Sequence, residues 1–296
     1  MSILLVGAQG QVGQELQQTL VRLAPTYGPL VALGRAQLDL TDLDAIASKV
    51  SAIQPALIVN AAAYTAVDKA ESERALAFKL NAEAPGALAK AAAECNAALM
   101  HISTDYVFSG QAASPWLETD ETNPLSVYGQ SKLAGEVAIR SVLAQHIILR
   151  TAWVYGVYGK GNFVKTMLRL GKERSQLGVV ADQIGSPTWA YDIAHTLTQL
   201  SEKVEHSPGT YHFTNSGTAS WHEFAVAIFE EARSLGIPLA VETVNPITTA
   251  DYPTPAKRPP YSVLNCQKVA NLLGHDAPNW RQSLKKMLQQ YMQVIS

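Results

Sequence analysis

The sequence has only two cysteines, Cys95 and Cys266, too few for a disulfide framework, so stability must come from an apolar core and a reducing, cytoplasmic setting suits the chain. Cys95 falls in an alanine-rich helical stretch and reads as a small buried apolar residue. Charge is sparse as well: 16% of residues are charged, and 23 basic against 25 acidic side chains leave a net charge of -2. That balance excludes a broad electropositive face, and with it nucleic acid as a partner. No apolar run reaches membrane length, and the run Ile3 to Val6 has no basic segment ahead of it and is too short for a signal sequence, so it predicts a first buried strand. Neither an internal repeat nor a low-complexity tract is visible. Histidines number seven, yet none shows the His-Glu-x-x-His spacing that a zinc site on a helix requires.

What is present is ample apolar material. With 47% hydrophobic residues in 296, the chain exceeds the usual size of a single compact core and predicts one large domain plus a smaller lobe. Short apolar runs, Ile3 to Val6, Leu30 to Leu33, Ala56 to Val59, Ala98 to Ile102 and Ile147 to Leu149, have the look of strands buried on both faces. Between them lie segments of helical length and composition: Val12 to Leu23, Leu43 to Ala52, Glu73 to Cys95 and Tyr128 to Leu143. Strand and helix in alternation mean an α/β fold, a doubly wound parallel sheet with right-handed crossovers. The pattern changes at the Gly-rich, aromatic stretch Tyr155 to Gly161, so residues 1–154 are expected to form a Rossmann-like nucleotide-binding domain and 155–296 mainly a substrate-binding lobe. Segments around 189–215, including a strand at Tyr211 to Thr214, are expected to return to the main sheet. Pro246 to Pro260 carries five prolines and predicts a long loop, a binding or lid segment. Trp189, Trp221 and Trp280 read as packing residues.

Gly7, Gly10 and Gly13 form a G-x-x-G-x-x-G run at the first strand-to-helix turn. Such glycines give a tight turn, bare backbone for a pyrophosphate and close helix packing, while the helix N-terminus favours the phosphates. The second strand ends Leu33-Gly34-Arg35, where a protein built for NAD would commonly carry an acidic residue for the ribose hydroxyl. Arg35 suits the 2′-phosphate of NADPH instead, with NADH as the weaker alternative, unless it is a solvated loop arginine.

Tyr128 and Lys132 stand four positions apart at the start of a predicted helix and so share a face. Reducing a ketone by hydride calls for a proton donor; a phenol of pKa about 10 can serve when an ammonium stabilises its phenolate. A hydroxyl on the opposite wall would complete the grip on the carbonyl oxygen. Thr104, just beyond the run Ala98 to Ile102, sits at the carboxyl-end rim where ligands of open parallel sheets bind.

These residues carry a resemblance. Gly7 to Gly13 (GAQGQVG), Asn60 to Glu71 (NAAAYTAVDKAE), Ser103 to Phe108 (STDYVF), Tyr128 to Lys132 (YGQSK) and Leu149 to Gly156 (LRTAWVYG), in order and along essentially the whole chain, resemble the dTDP-4-dehydrorhamnose reductase family of extended short-chain dehydrogenases. The resemblance implies reduction of the C4 keto group of dTDP-4-dehydro-L-rhamnose by NADPH. It implies Tyr128 as proton donor, Lys132 on the nicotinamide ribose and tuning Tyr128, and Thr104 steadying the carbonyl. It further implies Gly10, Gln11 and Val12 at the pyrophosphate, Asp39 and Leu40 near the adenine, Ala63, Tyr64 and Thr65 along the cofactor, and Asp105 and Trp153 on the sugar nucleotide. Members of the family are described as magnesium-containing homodimers with acidic residues in the last helix. Here the tail Lys285 to Tyr291 (KKMLQQY) offers lysines and amides where a hard cation wants carboxylates, which speaks against magnesium and that mode of dimer.

Arg258, in Arg258-Pro259-Pro260, reads either as a solvated basic turn or as a clamp for the substrate diphosphate. Other chemistries share the fold. A nucleotide-sugar dehydratase commonly follows its threonine with Asp-Glu, and Tyr106 fills the third place here. Another nucleotide-sugar reductase, or an epimerase that keeps its cofactor through the cycle, is a further alternative. From a different class comes a catalytically idle, NADP-binding regulatory subunit, similar to the regulatory partner of methionine adenosyltransferase; such a chain can lose its Tyr or Lys, whereas this one has both, with Thr104.

Overall fold

The structure, a computed structural model, describes residues 2–295. Six strands make the central sheet: β1 (Ile3–Val6), β2 (Leu30–Leu33), β3 (Leu57–Asn60), β4 (Ala98–Thr104), β5 (His146–Thr151) and a late strand, Gly209–His212. Their spatial order is late strand, β5, β4, β3, β1, β2, and every neighbouring pair is parallel. Every residue of β1, β3 and β5 is buried, which is why Ile3 to Val6, Leu57 to Val59 and Ile147 to Leu149 are unbroken apolar runs rather than alternating. Ile3 and Leu5 point to one face with Leu16, Met100 and Ile193. Leu4 and Val6 point to the other with Leu88, Leu99 and Ile139. A third apolar cluster, including Tyr155, Leu168, Phe224, Phe229, Leu284 and Leu288, lies apart from both faces.

The doubly wound parallel sheet is the architecture that the sequence predicts, and the departures from expectation have local causes. β4 and β5 run on to Thr104 and Thr151 because their last residues, Ser103, Thr104, Arg150 and Thr151, are polar yet buried, and an apolar run cannot reveal them. The helix expected over Val12 to Leu23 is α-helical over Gln11–Leu20 and tightens to a 3-10 turn at Val21–Leu23, ahead of Pro25. The one expected over Glu73 to Cys95 is helical at Arg74–Phe78 and Ala84–Glu94 with a wide π turn, Lys79–Glu83, between them. Pro85 removes the N–H that the Asn81 carbonyl would accept, and the helix widens there. The proline-rich stretch is not loop from its start: Thr243–Ile247 is a strand parallel to Gln176–Val180. Both were missed because their exposed polar positions dilute the apolar signal, and Pro246 is tolerated because this two-stranded ladder has an open edge. No helix among the described residues is long and apolar enough to cross a membrane.

The helix Gln11–Leu20 packs against the helix Ala190–Ser201, and between them lies an anomaly. Glu15 is 1% exposed, and neither carboxyl oxygen has a partner. Burial, followed by the Asp192 carboxylate, pushes its pKa up to about 7. Because the folded value lies above the unfolded one, the folded state holds the extra proton, and stability is lost as pH rises from about 4.5 through about 7. Glu15→Gln should remove this slope, so that its advantage over the wild type in urea unfolding grows by about 1–2 kcal/mol between pH 5 and pH 8; a difference independent of pH would show Glu15 to be ionised in the fold.

Candidate active site

The carboxyl ends of β1 to β5 open on one edge of the sheet, where a parallel α/β fold binds its ligands. After β1, Gly7 has a φ of +82° and a Cβ on it would lie 2.6 Å from the Ala62 nitrogen; a Cβ on Gly13 would run into the Gly7 carbonyl oxygen. The turn therefore excludes side chains and leaves bare backbone. Gly10 caps the helix Gln11–Leu20 in extended conformation with no side-chain hydrogen bond, so the first-turn N–H groups of Gln11 and Val12 lack intrahelical acceptors and suit an anion. The Gln11 side chain is engaged elsewhere: Nε2 donates to the Val154 carbonyl at 3.2 Å, and Oε1 accepts from Asn162 at 3.3 Å. The Gly-rich stretch after Tyr155 comes back over this helix end, held by Lys165 Nζ, which donates to the Gly159 carbonyl at 3.0 Å. Such a cradle fits the pyrophosphate of a dinucleotide.

Arg35 is exposed beyond β2. Nearby, Asp39 accepts from the Thr41 N–H and hydroxyl, bonds that hold its carboxyl below the usual range, with Arg35 adding to the effect. Leu40 is buried. Beyond β3, Ala63 and Thr65 are exposed, and the Tyr64 N–H donates to Asn81 Oδ1 at 2.8 Å. Asn81, presented by the π turn, also donates to Ser131 Oγ at 3.0 Å, which ties this edge to the helix Val127–Val142.

That helix carries Tyr128 and Lys132. Its N-cap, Ser126, accepts from the Gly129 N–H at 3.2 Å. The Tyr128 phenol lies beside the Thr104 hydroxyl; burial pushes it up to about 12, with Thr104 pulling the other way and the Asp105 carboxylate adding to the rise. Tyr128 and Lys132 do share a face, but the Lys132 amine donates to the Ile102 carbonyl at 2.6 Å and lies 3.2 Å from His101 Nε2, so its bonded partners belong to β4. Burial brings this amine down to about 8, against the pull of Glu136. Asp105, next to Thr104, is 2% exposed; its Oδ1 accepts from Thr104 at 2.9 Å and its Oδ2 has no partner. Burial raises its pKa to about 7, with Thr104 and Ser262 opposing. A buried acceptor left open beside a phenol and a hydroxyl suits a ligand hydroxyl.

Trp153 follows β5 with a φ of +48°, a left-handed conformation that costs a bulky residue about 1–3 kcal/mol and that such sites sustain only with support. The support is Trp221, stacked on it with ring centroids 3.5 Å apart. Arg258 grips Asp68 through two bonds, of 2.7 and 3.0 Å. The last helix, Trp280–Ile295, bears Lys285, Lys286, Gln289 and Gln290 and no carboxylate, so it offers a hard cation no acidic ligand.

Sequence reasoning missed what anchors this site. Glu136 is fully buried and takes Ser103 Oγ at 2.6 Å, Arg150 Nε at 2.9 Å and Arg150 Nη2 at 2.7 Å. Arg140 adds a bond at 3.0 Å. Burial works to raise this carboxyl, and the Arg150 bonds more than offset it, so it is held low. The available signal was position: Glu136 lies one turn beyond Lys132 on the same face.

A family model described as the RmlD substrate binding domain matches residues 1–293. A dTDP-4-dehydrorhamnose reductase of Escherichia coli (strain K12) is 48% identical over 296 residues, 97% of each chain. Among solved structures, a dTDP-4-dehydrorhamnose reductase of Clostridium acetobutylicum superposes with a TM-score of 0.90 at 40% identity, covering 99% of this chain and 100% of the other. The Bacillus anthracis reductase, solved in complex with NADP, gives 0.88 at 38% identity, covering 98% and 99%.

Removing one partner of a buried ion pair strands the other. Glu136→Ala should therefore cost about 3–5 kcal/mol in urea unfolding, and Glu136→Met combined with Arg150→Met should recover most of it. Equal loss in the single and double variants would mean that the pair is not what holds the helix.

Proposed function

The chain belongs to the dTDP-4-dehydrorhamnose reductase family, and we propose that it reduces the C4 keto group of dTDP-4-dehydro-L-rhamnose with NADPH to give dTDP-L-rhamnose. The observation that carries the reading is the approach of the Tyr128 phenol to the Thr104 hydroxyl at the end of β4, beside the open Asp105 oxygen. When bound, NADPH supplies the hydride for the carbonyl carbon. Tyr128 supplies the proton for its oxygen. A phenol pushed up to about 12 is fully protonated at neutral pH, and the nascent alkoxide is the stronger base, so transfer runs downhill. Thr104 holds the same oxygen in line, and Lys132, brought up as an ammonium, stabilises the phenolate left behind.

Gly7, Gly10, Gln11, Val12 and Gly13 would hold the pyrophosphate, Arg35 the 2′-phosphate, Asp39 and Leu40 the adenine end, and Ala63, Tyr64 and Thr65 the length of the cofactor. Asp105 and Trp153 would meet the sugar nucleotide. Arg258 would meet its diphosphate only in competition with Asp68. Residues 1–154 would form the NADP-binding domain and 155–296 mainly the substrate lobe. The segment around 189–215 would belong with the first: the strand Gly209–His212 extends its sheet, and the helix Ala190–Ser201 packs on its first helix. The cytoplasm, where both free thiols stay reduced, is the compartment this reading assigns.

Tyr128→Phe should lower turnover by about 10² to 10⁴ with NADPH binding nearly intact; unchanged NADPH oxidation in that variant would remove the phenol from the reaction. Arg35→Asp should weaken NADPH far more than NADH in fluorescence titrations. A preserved preference for the phosphorylated cofactor would assign that role to another residue.

A further inference from the structure

Between Asn60 on β3 and Lys132 lies a buried imidazole that the mechanism above does not use. His101 is fully buried on β4, with Nδ1 3.0 Å from Asn60 Nδ2 and Nε2 3.2 Å from Lys132 Nζ. The orientation of the Asn60 amide is settled by its other bond: Oδ1 accepts from the Ala62 backbone N–H at 3.1 Å, and the reverse placing would set two donors against each other. Asn60 therefore turns its NH₂ toward the ring, Nδ1 accepts, and the single proton of the neutral ring is on Nε2, directed at Lys132. Full burial holds His101 well below the ordinary histidine value, so a second ring proton is not available.

An ammonium in the Lys132 position would oppose one N–H with others, whereas an amine has a lone pair to accept it. We propose that His101 is a positioning residue that keeps Lys132 uncharged while it rests on β4, so that the lysine takes a proton from solvent on swinging away from the imidazole to the bound cofactor. This rests on the reductase reading given above.

The other groups around the amine leave that balance in place. From β4 come His101 and the Ile102 carbonyl, which accepts from amine and ammonium alike. From its own helix come Tyr128, one turn earlier, and Glu136, which favours the ammonium but is already saturated by Ser103, Arg140 and Arg150. Asn60, from β3, acts through the ring. Burial already brings the amine down to about 8, and an imidazole N–H directed at its lone pair lowers it further, so a change of partner decides its charge. Charging Lys132 only beside the cofactor ribose would set the ammonium next to Tyr128 when a phenolate has to be stabilised, and not before.

Proton uptake on cofactor binding tests this without turnover. Calorimetric titration of the protein with NADPH at pH 8.5, in two buffers of different ionisation heat, should show at least about two-thirds of a proton taken up per NADPH bound. Lys132→Met should bind NADPH with essentially no uptake. His101→Gln, which keeps an acceptor toward Asn60 and an N–H toward Lys132, should retain it. Asn60→Asp turns the ring round: a carboxylate accepts from both the Ala62 N–H and an Nδ1–H, Nε2 becomes an acceptor, and uptake should fall at least twofold. NADPH binding to the wild type without uptake, or with uptake that survives Lys132→Met or Asn60→Asp, overturns the proposal and leaves the reductase reading standing. Failure of the wild type to bind NADPH overturns both. Should Asn60→Asp not fold, the wild type and Lys132→Met decide the matter.

Discussion

The site depends on one buried ion pair. Glu136, out of water on the helix Val127–Val142, meets Arg150 from β5 and Ser103 from β4, so a single carboxylate joins the helix that carries Tyr128 and Lys132 to the two strands whose ends carry Thr104 and Trp153. A charged pair in such surroundings is weak as a source of net stability, because the cost of desolvation offsets most of the attraction. Its value lies in direction. Apolar packing between a helix and a sheet tolerates sliding and rotation, whereas a two-pronged guanidinium–carboxylate contact fixes both. With Glu136 fixed, Lys132 lies over β4 one turn away and Tyr128 one turn further, at the Thr104 hydroxyl.

Around that fixed point the chain keeps unfavourable features that a purely structural protein would shed. Asp105 has an open acceptor in the interior, Trp153 holds a left-handed backbone, and Lys132 is buried with its pKa brought down. All three lie at the carboxyl edge of β4 and β5. An open acceptor, a strained backbone and a buried amine on neighbouring elements suit a site that is completed by a ligand.

Much of this was legible in the sequence, and the reasons are physical. β1 could be read to the residue because a strand buried on both faces must be apolar throughout, β2 because its apolar run is bounded by Pro29 and Gly34, and Gly7 and Gly13 because no side chain fits where they sit. Tyr128 and Thr104 were readable from the chemistry of carbonyl reduction. What stayed hidden was polar and interior. Ser103, Glu136 and Arg150 look like surface residues in a sequence, His101 falls in a run read as a buried strand with nothing to announce its partners, and only the packing of the helix on the sheet shows what they face. Asn81 was hidden for a different reason: it depends on a π turn, which no periodicity announces. Arg258 stood open between two readings, and the answer, a partner at Asp68 nearly two hundred positions away, is not local information.

The central claim is that hydride passes to the sugar's C4 in a site built on the ends of β4 and β5. The direct test is to incubate the protein with dTDP-4-dehydro-L-rhamnose and NADPH deuterated at the transferring position of the nicotinamide, and to examine the product by NMR. The account predicts dTDP-L-rhamnose with deuterium at C4, in step with oxidation of the cofactor. Product carrying solvent hydrogen at C4, or cofactor that stays reduced in the presence of the keto sugar, would contradict it.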